Sequence, residues 1–295
     1  MDAGNIAVSL KRLSEESLED AIARAHAMGF SAITFDGTAS SDPVAPGFFW
    51  PDLSAEERER LLAVRDQFER AVIHAPYVDV PFVSVNPYIE RESLRQALGS
   101  IEAAGALRLE VVTIHAGLPY QSIPAEEFFA RLVPILRMLG DAAAVNGTRI
   151  GVENWRYPAD PDQHAALLQA VDHPAVGATL DLGHIAYWLK RDGFTSLDGP
   201  AAIEGYNARL LVLIDRLGDQ IIHVHAHDVR PADIDDHRPA GTGIIDFEAV
   251  FARLNAIGFD GLVLLEIKPD GSDCAQAIAA SRERLLRAMK AAAAA

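Results

Sequence analysis

The chain has 295 residues, of which 49% are hydrophobic, and its 42 acidic side chains against 26 Lys and Arg give a formal net charge of −16. This charge disfavours nucleic acid and anionic membrane surfaces as partners, because its long-range field repels both. The single cysteine, Cys274, excludes an internal disulfide and a cysteine-rich metal site, and the absence of a signal-peptide pattern or a membrane-length apolar run leads us to expect a cytoplasmic protein with no membrane partner.

Eight short runs rich in β-branched residues alternate with amphipathic segments along the chain. This alternation is typical of βα units that build a parallel sheet. The predicted strands are, in chain order, Ile6–Leu10, Ala32–Phe35, Ala71–His74, Val111–His115, Arg149–Glu153, Ala178–Leu182, Ile221–His227 and Leu262–Ile267. The spacing between consecutive strands leaves room for a helix and two loops each time.

The segments between the predicted strands carry signals for helices. Ser54 followed by Glu57 matches a capping box, in which each side chain binds the other residue's backbone N–H. Pro124 suits the first position of a helix, whereas Pro134 inside the same segment predicts a kink. The last helix ends in a run of alanines, and we expect residues 290–295 to form a frayed tail.

Eight consecutive βα units predict an α/β fold, a single (β/α)8 TIM barrel that spans residues 1–295, because right-handed crossovers close such a sheet on itself. A doubly wound sheet is the alternative. That fold usually has fewer strands and a glycine-rich first turn, but the sequence contains no G-x-G-x-x-G motif. No Ser/Gly-rich linker divides the chain, which supports one domain.

The carboxyl ends of the strands carry the working residues of TIM barrels, and six of the predicted strands end there in an acid or an imidazole. The third to sixth strands and the eighth supply His74, His115, Glu153, Asp181 with His184, and Glu266. Any one of them, taken alone, has a structural explanation as a hydrogen-bonded buried residue. Several carboxylates buried together without Lys or Arg are strongly unfavourable, so the whole set predicts a bound divalent cation.

The seventh predicted strand reads IIHVHAHDV and directs His223, His225 and His227 at the barrel interior at successive heights. We expect His223 to pack low in the barrel, His225 to bind metal and His227 to lie near the rim. The Gly- and Pro-rich loop that follows is long enough to fold back over the barrel mouth, and it offers Asp235 and His237 as further ligands. A solvated acidic loop is the alternative for that segment.

Residues in the loops are candidates for contacts with substrate. Trp155 follows Glu153 closely and is expected at the mouth of the barrel. Arg230, just beyond the histidine-rich strand, is expected either to bind a phosphate or hydroxyl group of the substrate or to pair with nearby aspartates. The stretch PGFFWPDL, residues 46–53, is either an aromatic lid or a loop anchored on the outer helices.

Five motifs, in this order, resemble those of the xylose isomerase-like TIM-barrel superfamily: GVENW, DLGH, HVHAHD, DDHRPAGTG and LLEIKP. That superfamily includes sugar phosphate isomerases and epimerases, D-tagatose 3-epimerase-like enzymes, inosose isomerases and dehydratases, and endonuclease IV. The resemblance covers essentially the whole chain. It is specific to the superfamily and poorly specific for a substrate.

The resemblance implies ligands for metal. In the epimerase branch, the positions that match Glu153, Asp181, His225 and Glu266 hold one divalent ion, the two glutamates exchange protons with the substrate, and the position that matches His184 contacts the substrate. In endonuclease IV, a three-zinc cluster uses the positions that match His74, His115, Glu153, Asp181, His184, His225, Asp235, His237 and Glu266. All nine residue types are present in this chain, so the ligands alone do not separate the branches.

The sugar branch is favoured because AHDVR follows His225 where the nuclease pattern has an Asn-Asp-Ser-Lys-like run, and because no arginine-rich loop is suited to gripping a duplex. We therefore expect a metal-dependent isomerase or epimerase of a sugar, sugar phosphate or keto-inositol, acting through an enediolate with Glu153 and Glu266 as acid and base. The alternatives are a lyase or dehydratase acting on an inosose or 3-keto-glycoside and, ranked below both, an abasic-site nuclease. The expected cofactor is zinc or manganese. We expect one ion and leave open a cluster of up to three ions. The expected partner is a small carbohydrate, and a homo-oligomer is left open.

Overall fold

The computed structural model describes residues 1–13, 17–37, 47–118, 122–268 and 273–294. In this part of the chain the strands are β1 (Ile6–Ser9), β2 (Ala32–Asp36), β3 (Arg70–His74), β4 (Val111–Ile114), β5 (Arg149–Glu153), β6 (Val176–Asp181), β7 (Ile221–Ala226), β8 (Asp228–Arg230), β9 (Asp235–Arg238) and β10 (Leu262–Leu265). All except β8 and β9 pair in parallel and close into a barrel in the order β1-β10-β7-β6-β5-β4-β3-β2. The predicted (β/α)8 TIM barrel is confirmed.

The helices of the described residues are α1 (Leu18–Ala27), α2 (Ala55–Arg65), α3 (Pro87–Leu107), α4 (Ala125–Val145), α5 (Pro161–Val171), α6 (Ile185–Arg191), α7 (Pro200–Leu217), α8 (Phe247–Ala256) and α9 (Cys274–Ala294). Their apolar sides pack on the outer face of the barrel in one extended core, which includes the fully buried Trp188, Phe128 and Phe251. Among these helices, none combines the length and low polarity that crossing a lipid bilayer requires.

Strand register sorts the inward-facing side chains of the barrel into layers. An apolar cluster fills the interior from the amino-terminal end: Ala7, Ala32, Val72, Val111, Ile222, Leu262 and Leu264. Thr113 and Thr179 hydrogen-bond across the interior, with 3.0 Å between their hydroxyl oxygens. Asp181 lies in register with His225, one layer closer to the carboxyl ends of the strands than Thr179. The polar residues are therefore gathered at one end of the barrel, above an apolar floor.

The strand boundaries follow the sequence prediction closely. The largest differences are at β6, which begins at Val176 rather than Ala178, and at β10, which ends at Leu265 rather than Ile267. The antiparallel hairpin of β8 and β9 is absent from the prediction, which has a loop there. This hairpin lies directly after β7 and carries residues to the mouth of the barrel.

The helix signals also have clear outcomes. The capping box is confirmed, since the Glu57 N–H donates to Ser54 Oγ at 3.2 Å and the Ser54 N–H donates to Glu57 Oε2 at 2.8 Å. Pro124 is the residue before the first helical residue of α4 rather than the first itself, and α4 continues through Pro134. At the other end of the chain, α9 is helical through Ala294, where the sequence analysis expects fraying.

Candidate metal and substrate site

Glu153, the last residue of β5, lies at the centre of the polar layer and is only 1% exposed. Its Oε2 lies 3.2 Å from His74 Nε2 and 3.1 Å from His115 Nε2. Its Oε1 lies 3.0 Å from His184 Nδ1 and 3.4 Å from His225 Nδ1. A single carboxylate thus faces two pairs of imidazoles, one pair on each oxygen.

Asp181, the last residue of β6, is held by hydrogen bonds both at its carboxylate and at its backbone. Its Oδ1 accepts hydrogen bonds from the N–H groups of Gly183 and His184, each at 2.8 Å. Asn154 donates from Nδ2 to the Asp181 carbonyl at 2.8 Å and accepts from the Asp181 N–H at 2.7 Å, and both residues are fully buried. These bonds fix the carboxylate and join the end of β5 to the end of β6.

His225, on β7, is the common neighbour of the predicted ligand carboxylates. Its Nδ1 lies 3.4 Å from Glu153 Oε1, 3.7 Å from Asp181 Oδ2 and 2.9 Å from Glu266 Oε2. Glu266 directly follows the end of β10. The structure therefore brings the four residues Glu153, Asp181, His225 and Glu266 around one position at the mouth of the barrel.

His223 lies below His225 and is buried, as expected. Its Nδ1 donates to the Leu262 carbonyl at 2.8 Å, and its ring meets the His225 ring edge to face, with 5.0 Å between centroids. Burial, followed by the charge of His225, holds the pKa of His223 well below its usual range. His223 is therefore a neutral support beneath His225.

His227, which is expected near the rim, directly follows the end of β7 and is fully buried. Its Nε2 donates to Asp181 Oδ1 at 2.9 Å, and its Nδ1 accepts from the His237 N–H at 2.8 Å, which assigns the ring proton to Nε2. The ring covers Gly183 so closely that a Cβ there would lie 1.9 Å from His227 Cε1. The β8–β9 hairpin roofs this histidine, whose contact orients Asp181.

The hairpin brings Asp236, rather than the predicted Asp235, to the histidines. Asp236 Oδ1 lies 3.1 Å from His237 Nδ1, and its Oδ2 lies 3.9 Å from His184 Nε2. Asp235 instead pairs with arginines outside the cluster, including Arg230 at 2.9 Å. The physical reason is backbone conformation, since His237 has a left-handed φ of 57° and this interrupts the usual alternation of faces along β9.

Arg230 also departs from its predicted substrate role. Its guanidinium binds Asp233 at 2.8 Å and Asp235 at 2.9 Å. The alternative, an arginine paired with nearby aspartates, is the arrangement observed. A phosphate or hydroxyl recognised by this side chain would have to compete with two carboxylates.

Opposite charges dominate the electrostatics of the site. Burial alone raises the pKa of Glu153 and of Glu266, but neighbouring imidazoles outweigh it and hold both pKa values well below the usual range. Burial lowers the pKa of His225, yet the carboxylates of Glu153 and Glu266 raise it well above the usual range. Burial lowers the pKa of His237, but Asp236 and Glu266 outweigh it and raise this pKa to about 10. The acids are ionised at neutral pH, and protons on these imidazoles balance them.

The buried nitrogen atoms fit a bound cation. His184 Nδ1 and His225 Nδ1 have no hydrogen-bond partner in the described part of the chain, although carboxylate oxygens lie 3.0 Å and 2.9 Å away. Close approach without a hydrogen bond is expected of ligand atoms arranged around a shared ion rather than around each other. Nitrogen and oxygen donors without sulfur suit zinc and manganese.

Three groups of side chains in the described residues bring ligand atoms within 4.8 Å of one another: His74, His115 and Glu153; Glu153, Asp181 and His225; and His184, His227 and His237. Glu153 belongs to two of these groups. Glu153, Asp181 and His225 therefore fit one ion, whereas Glu266 belongs to none of these groups, although its Oε2 lies 2.9 Å from His225 Nδ1. The other two groups offer further donors. Of the members of these groups, His227 is absent from the predicted ligands, although it had a sequence signal, its place in the alternating run.

Aromatic side chains line the edge of the cluster. Trp155 stacks on His115 with 4.6 Å between ring centroids and 19° between planes, as expected for a residue at the mouth. The aromatic stretch after β2 is anchored instead on the outer helices, because Phe48 and Trp50 are buried and Arg95 of α3 lies 4.3 Å over the Phe49 ring. In the described residues 47–53, this stretch is a packed loop rather than a lid.

A pocket opens beside Glu266 on the side of β1, β2, β3 and β10, with about 570 Å³ of empty space counted out to its mouth. Its polar lining includes Arg12, Asp36, Tyr77, Glu266 and Lys268. Glu266, with a side chain that is 34% exposed, is accessible from this pocket.

Comparisons with known proteins agree with this architecture. A D-tagatose 3-epimerase-like protein is 25% identical and superposes with a TM-score of 0.71, covering 98% of this chain and 99% of that one. D-psicose 3-epimerase from Clostridium cellulolyticum H10 shares the fold at 14% identity, with a TM-score of 0.73 over 98% of this chain and 99% of that one. An uncharacterized protein of Methanocaldococcus jannaschii is 30% identical over 228 residues, 73% of this chain and 71% of the relative. The family described as xylose isomerase-like TIM barrel matches residues 22–292. The chain belongs to the xylose isomerase-like TIM barrel family.

Proposed function

We propose that this protein is a divalent-metal-dependent isomerase or epimerase of a sugar, sugar phosphate or keto-inositol. The observation that carries the proposal is the convergence of Glu153, Asp181 and Glu266 on His225 Nδ1, next to an open pocket. The name of the D-tagatose 3-epimerase-like relative supports the same class of reaction.

Glu153, Asp181, His225 and Glu266 would hold the ion. A divalent ion bound there supplies Lewis-acid polarisation of a carbonyl group, which makes the hydrogen on the neighbouring carbon more acidic. The protein contributes the fixed geometry, because Asn154 and two backbone N–H groups hold Asp181. The apolar floor below and the stacked Trp155 at the edge exclude water from this end of the barrel.

The two glutamates are proposed to move the protons. Both are ionised at neutral pH, so either carboxylate accepts a proton from the carbon next to a carbonyl. Glu266 faces the pocket with 34% of its side chain exposed, whereas Glu153 is 1% exposed among histidines. We assign Glu266 to the open face of the substrate and Glu153 to the enclosed face, an arrangement that allows removal of a proton on one side and its return on the other.

The test is NMR of ketoses, aldoses, inososes and 3-keto-glycosides in D₂O, with purified protein loaded with zinc or manganese. We expect solvent deuterium at the carbon next to the carbonyl of at least one compound, together with an isomer or epimer of unchanged heavy-atom composition. A converted substrate that retains its hydrogen overturns the proton-transfer mechanism. A product that has lost water or an aglycone indicates the lyase instead, and incision of an abasic-site duplex indicates the nuclease.

Two substitutions separate the glutamates from the rest of the site. Glu153→Gln and Glu266→Gln are each expected to lower turnover about 10³-fold, because an amide cannot accept the proton. Glu110→Gln, at a carboxylate paired with Arg70 near the amino-terminal end of β3 and β4, is the matched control and keeps activity. Metal content is measured in each variant by elemental analysis, and substantial activity in both metal-loaded glutamine variants contradicts the assignment.

A further inference from the structure

Two cationic side chains line the pocket from neighbouring loops. Arg12 lies in the short helical turn that follows β1, and Lys268 lies two residues beyond Glu266 after β10. β1 and β10 are adjacent in the barrel and pair in register from Ile6 with Val263. The pairing brings the two loops out at the same edge of the mouth, so the two cations line one side of the pocket.

Neither cation has a partner in the part of the chain that the structure describes. Among the residues that the structure describes, the side chains of Arg12 and Lys268 form no hydrogen bond or ion pair, in contrast to Arg230 with its two aspartates. The Lys268 backbone is nevertheless fixed, since its N–H donates to the His237 carbonyl at 2.7 Å. A guanidinium and an ammonium without a described partner thus line one pocket of a chain whose net charge is −16.

The carboxylates that share the pocket do not balance this charge. Glu266 already lies 2.9 Å from His225 Nδ1 and 3.6 Å from His237 Nε2. Apart from Glu266, the described lining carries one negative charge, that of Asp36, against the two positive charges of Arg12 and Lys268. A substrate that completes this arrangement carries an anionic group.

We propose that Arg12 and Lys268 bind an anionic group of the substrate, a phosphate monoester or a carboxylate, while its carbonyl end lies at Glu266. The inference rests on the proposed function, whose substrate class it narrows from neutral sugars to anionic ones. Guanidinium groups bind such oxyanions with two parallel N–H donors, and ammonium groups bind them as compact charges. Glu266 and His74 line the same pocket as both cations, so one small molecule reaches both ends.

Calorimetry on the zinc-loaded protein tests the inference without requiring turnover. The probes are one ketohexose, its terminal phosphate ester and the corresponding terminal carboxylate. We expect an anionic form to bind at least about tenfold more tightly than the neutral sugar, and the stronger of the two anionic forms identifies the group. Equal affinity for all three compounds overturns the inference.

Arg12→Met and Lys268→Met are each expected to lower the ratio of anionic-sugar affinity to neutral-sugar affinity about tenfold. Arg149→Met is the matched control, because Arg149 begins β5 at the opposite end of the barrel, and it retains the preference. Retention of the preference in both pocket variants contradicts the inference.

Inorganic phosphate separates this inference from the proposed function. If no sugar binds or exchanges deuterium, the proposed function fails, and phosphate titrated into wild-type protein and the two pocket variants then decides about the anion site alone. If both substitutions weaken phosphate binding, the proposed anion site is supported. If neither substitution weakens it, the anion site is overturned. Deuterium exchange into neutral sugars with no preference for anionic ones leaves the function standing and removes the anion site.

Discussion

The two sides of the barrel mouth differ in how their polar groups are held. On the ligand side, formed by β5, β6 and β7, Glu153, Asp181 and His225 are at most 1% exposed and are surrounded by hydrogen bonds and imidazoles. On the pocket side, formed by β1, β2, β3 and β10, Arg12 is half-buried and Lys268 is exposed, without described partners. The ligand side is arranged by contacts within the chain, and under the proposal above the pocket side is completed by an anionic group of the substrate.

Because of this difference, we expect substitutions on the ligand side to lower the stability of the fold and substitutions on the pocket side to weaken substrate binding. Burial without water makes each polar contact on the ligand side costly to break, because the abandoned partner remains desolvated. Groups on the pocket side already contact solvent, so their removal leaves no buried orphan. The predictions below test that contrast, from the largest expected effect to the smallest.

The largest effect is expected at Asp228, which is fully buried at the start of β8 and accepts hydrogen bonds from three backbone N–H groups. These belong to Val229 at 2.9 Å, Gly241 at 2.8 Å and Ile245 at 3.0 Å. Asp228→Ala is expected to lower the free energy of unfolding by about 5 kcal/mol in urea denaturation, because three backbone donors, two of them in buried hydrogen bonds, lose their acceptor. Asp233→Ala, at an exposed residue between the two strands of the same hairpin, should lower it by less than ~1 kcal/mol. Equal effects of the two substitutions would show that the hairpin is not held by Asp228.

Asn154→Ala removes the two hydrogen bonds that join β5 to β6 at Asp181. We expect a loss of about 3 kcal/mol in the free energy of unfolding and a zinc affinity lower by about 10–100-fold, since the backbone of Asp181 is no longer tied to the end of β5. Asn146→Ala, which removes one bond to the Ala142 carbonyl at the end of α4, is the control and should leave zinc affinity unchanged. Zinc affinity that survives Asn154→Ala would contradict the positioning role.

The raised imidazole pKa values predict the pH dependence of metal binding. His225 and His237 hold protons at neutral pH in the metal-free protein, and a metal ligand must be deprotonated. Zinc affinity should therefore fall by about tenfold or more for each pH unit below neutrality, with protons released on binding. Calorimetry in two buffers of different ionisation enthalpy measures this release. Binding without proton release would exclude these histidines as ligands.

The smallest effect on stability is expected on the pocket side. Arg12→Met should change the free energy of unfolding by no more than ~0.5 kcal/mol, because no described hydrogen bond or ion pair is lost. Thermal or urea denaturation without ligand provides the measurement. A loss of several kcal/mol would show that Arg12 has a structural role and that the two sides are not so different.

The barrel and most of its polar layer could be predicted from the sequence because they depend on short-range periodicity. Strand alternation locates the inward-facing residues, and the barrel closure brings the carboxyl ends together. Glu153, Asp181, His225 and Glu266 meet for this reason. The catalytic and metal-binding roles of these four residues remain predictions.

The hairpin could not be predicted because its geometry depends on tertiary contacts. Ile234 and His237 have left-handed φ values of 52° and 57°, and residues with a β-carbon give no reliable local signal for that conformation. Asp235, which is predicted as a ligand from its place in the loop and from the resemblance, therefore pairs with arginines, and Asp236 faces the histidines. The same hairpin covers His227. The burial of a residue by a later segment cannot be inferred from the sequence of its own strand.

The backbone at His237 sets two selective pressures against each other. Glycine adopts a left-handed φ with less strain than a residue that carries a β-carbon, by about 1–2 kcal/mol, yet it would bring no ring to stack on His227. Laboratory evolution for thermal tolerance alone should drift toward glycine at this position. Evolution for activity should retain the imidazole, so the residue recovered at 237 reports which trait a given screen has rewarded.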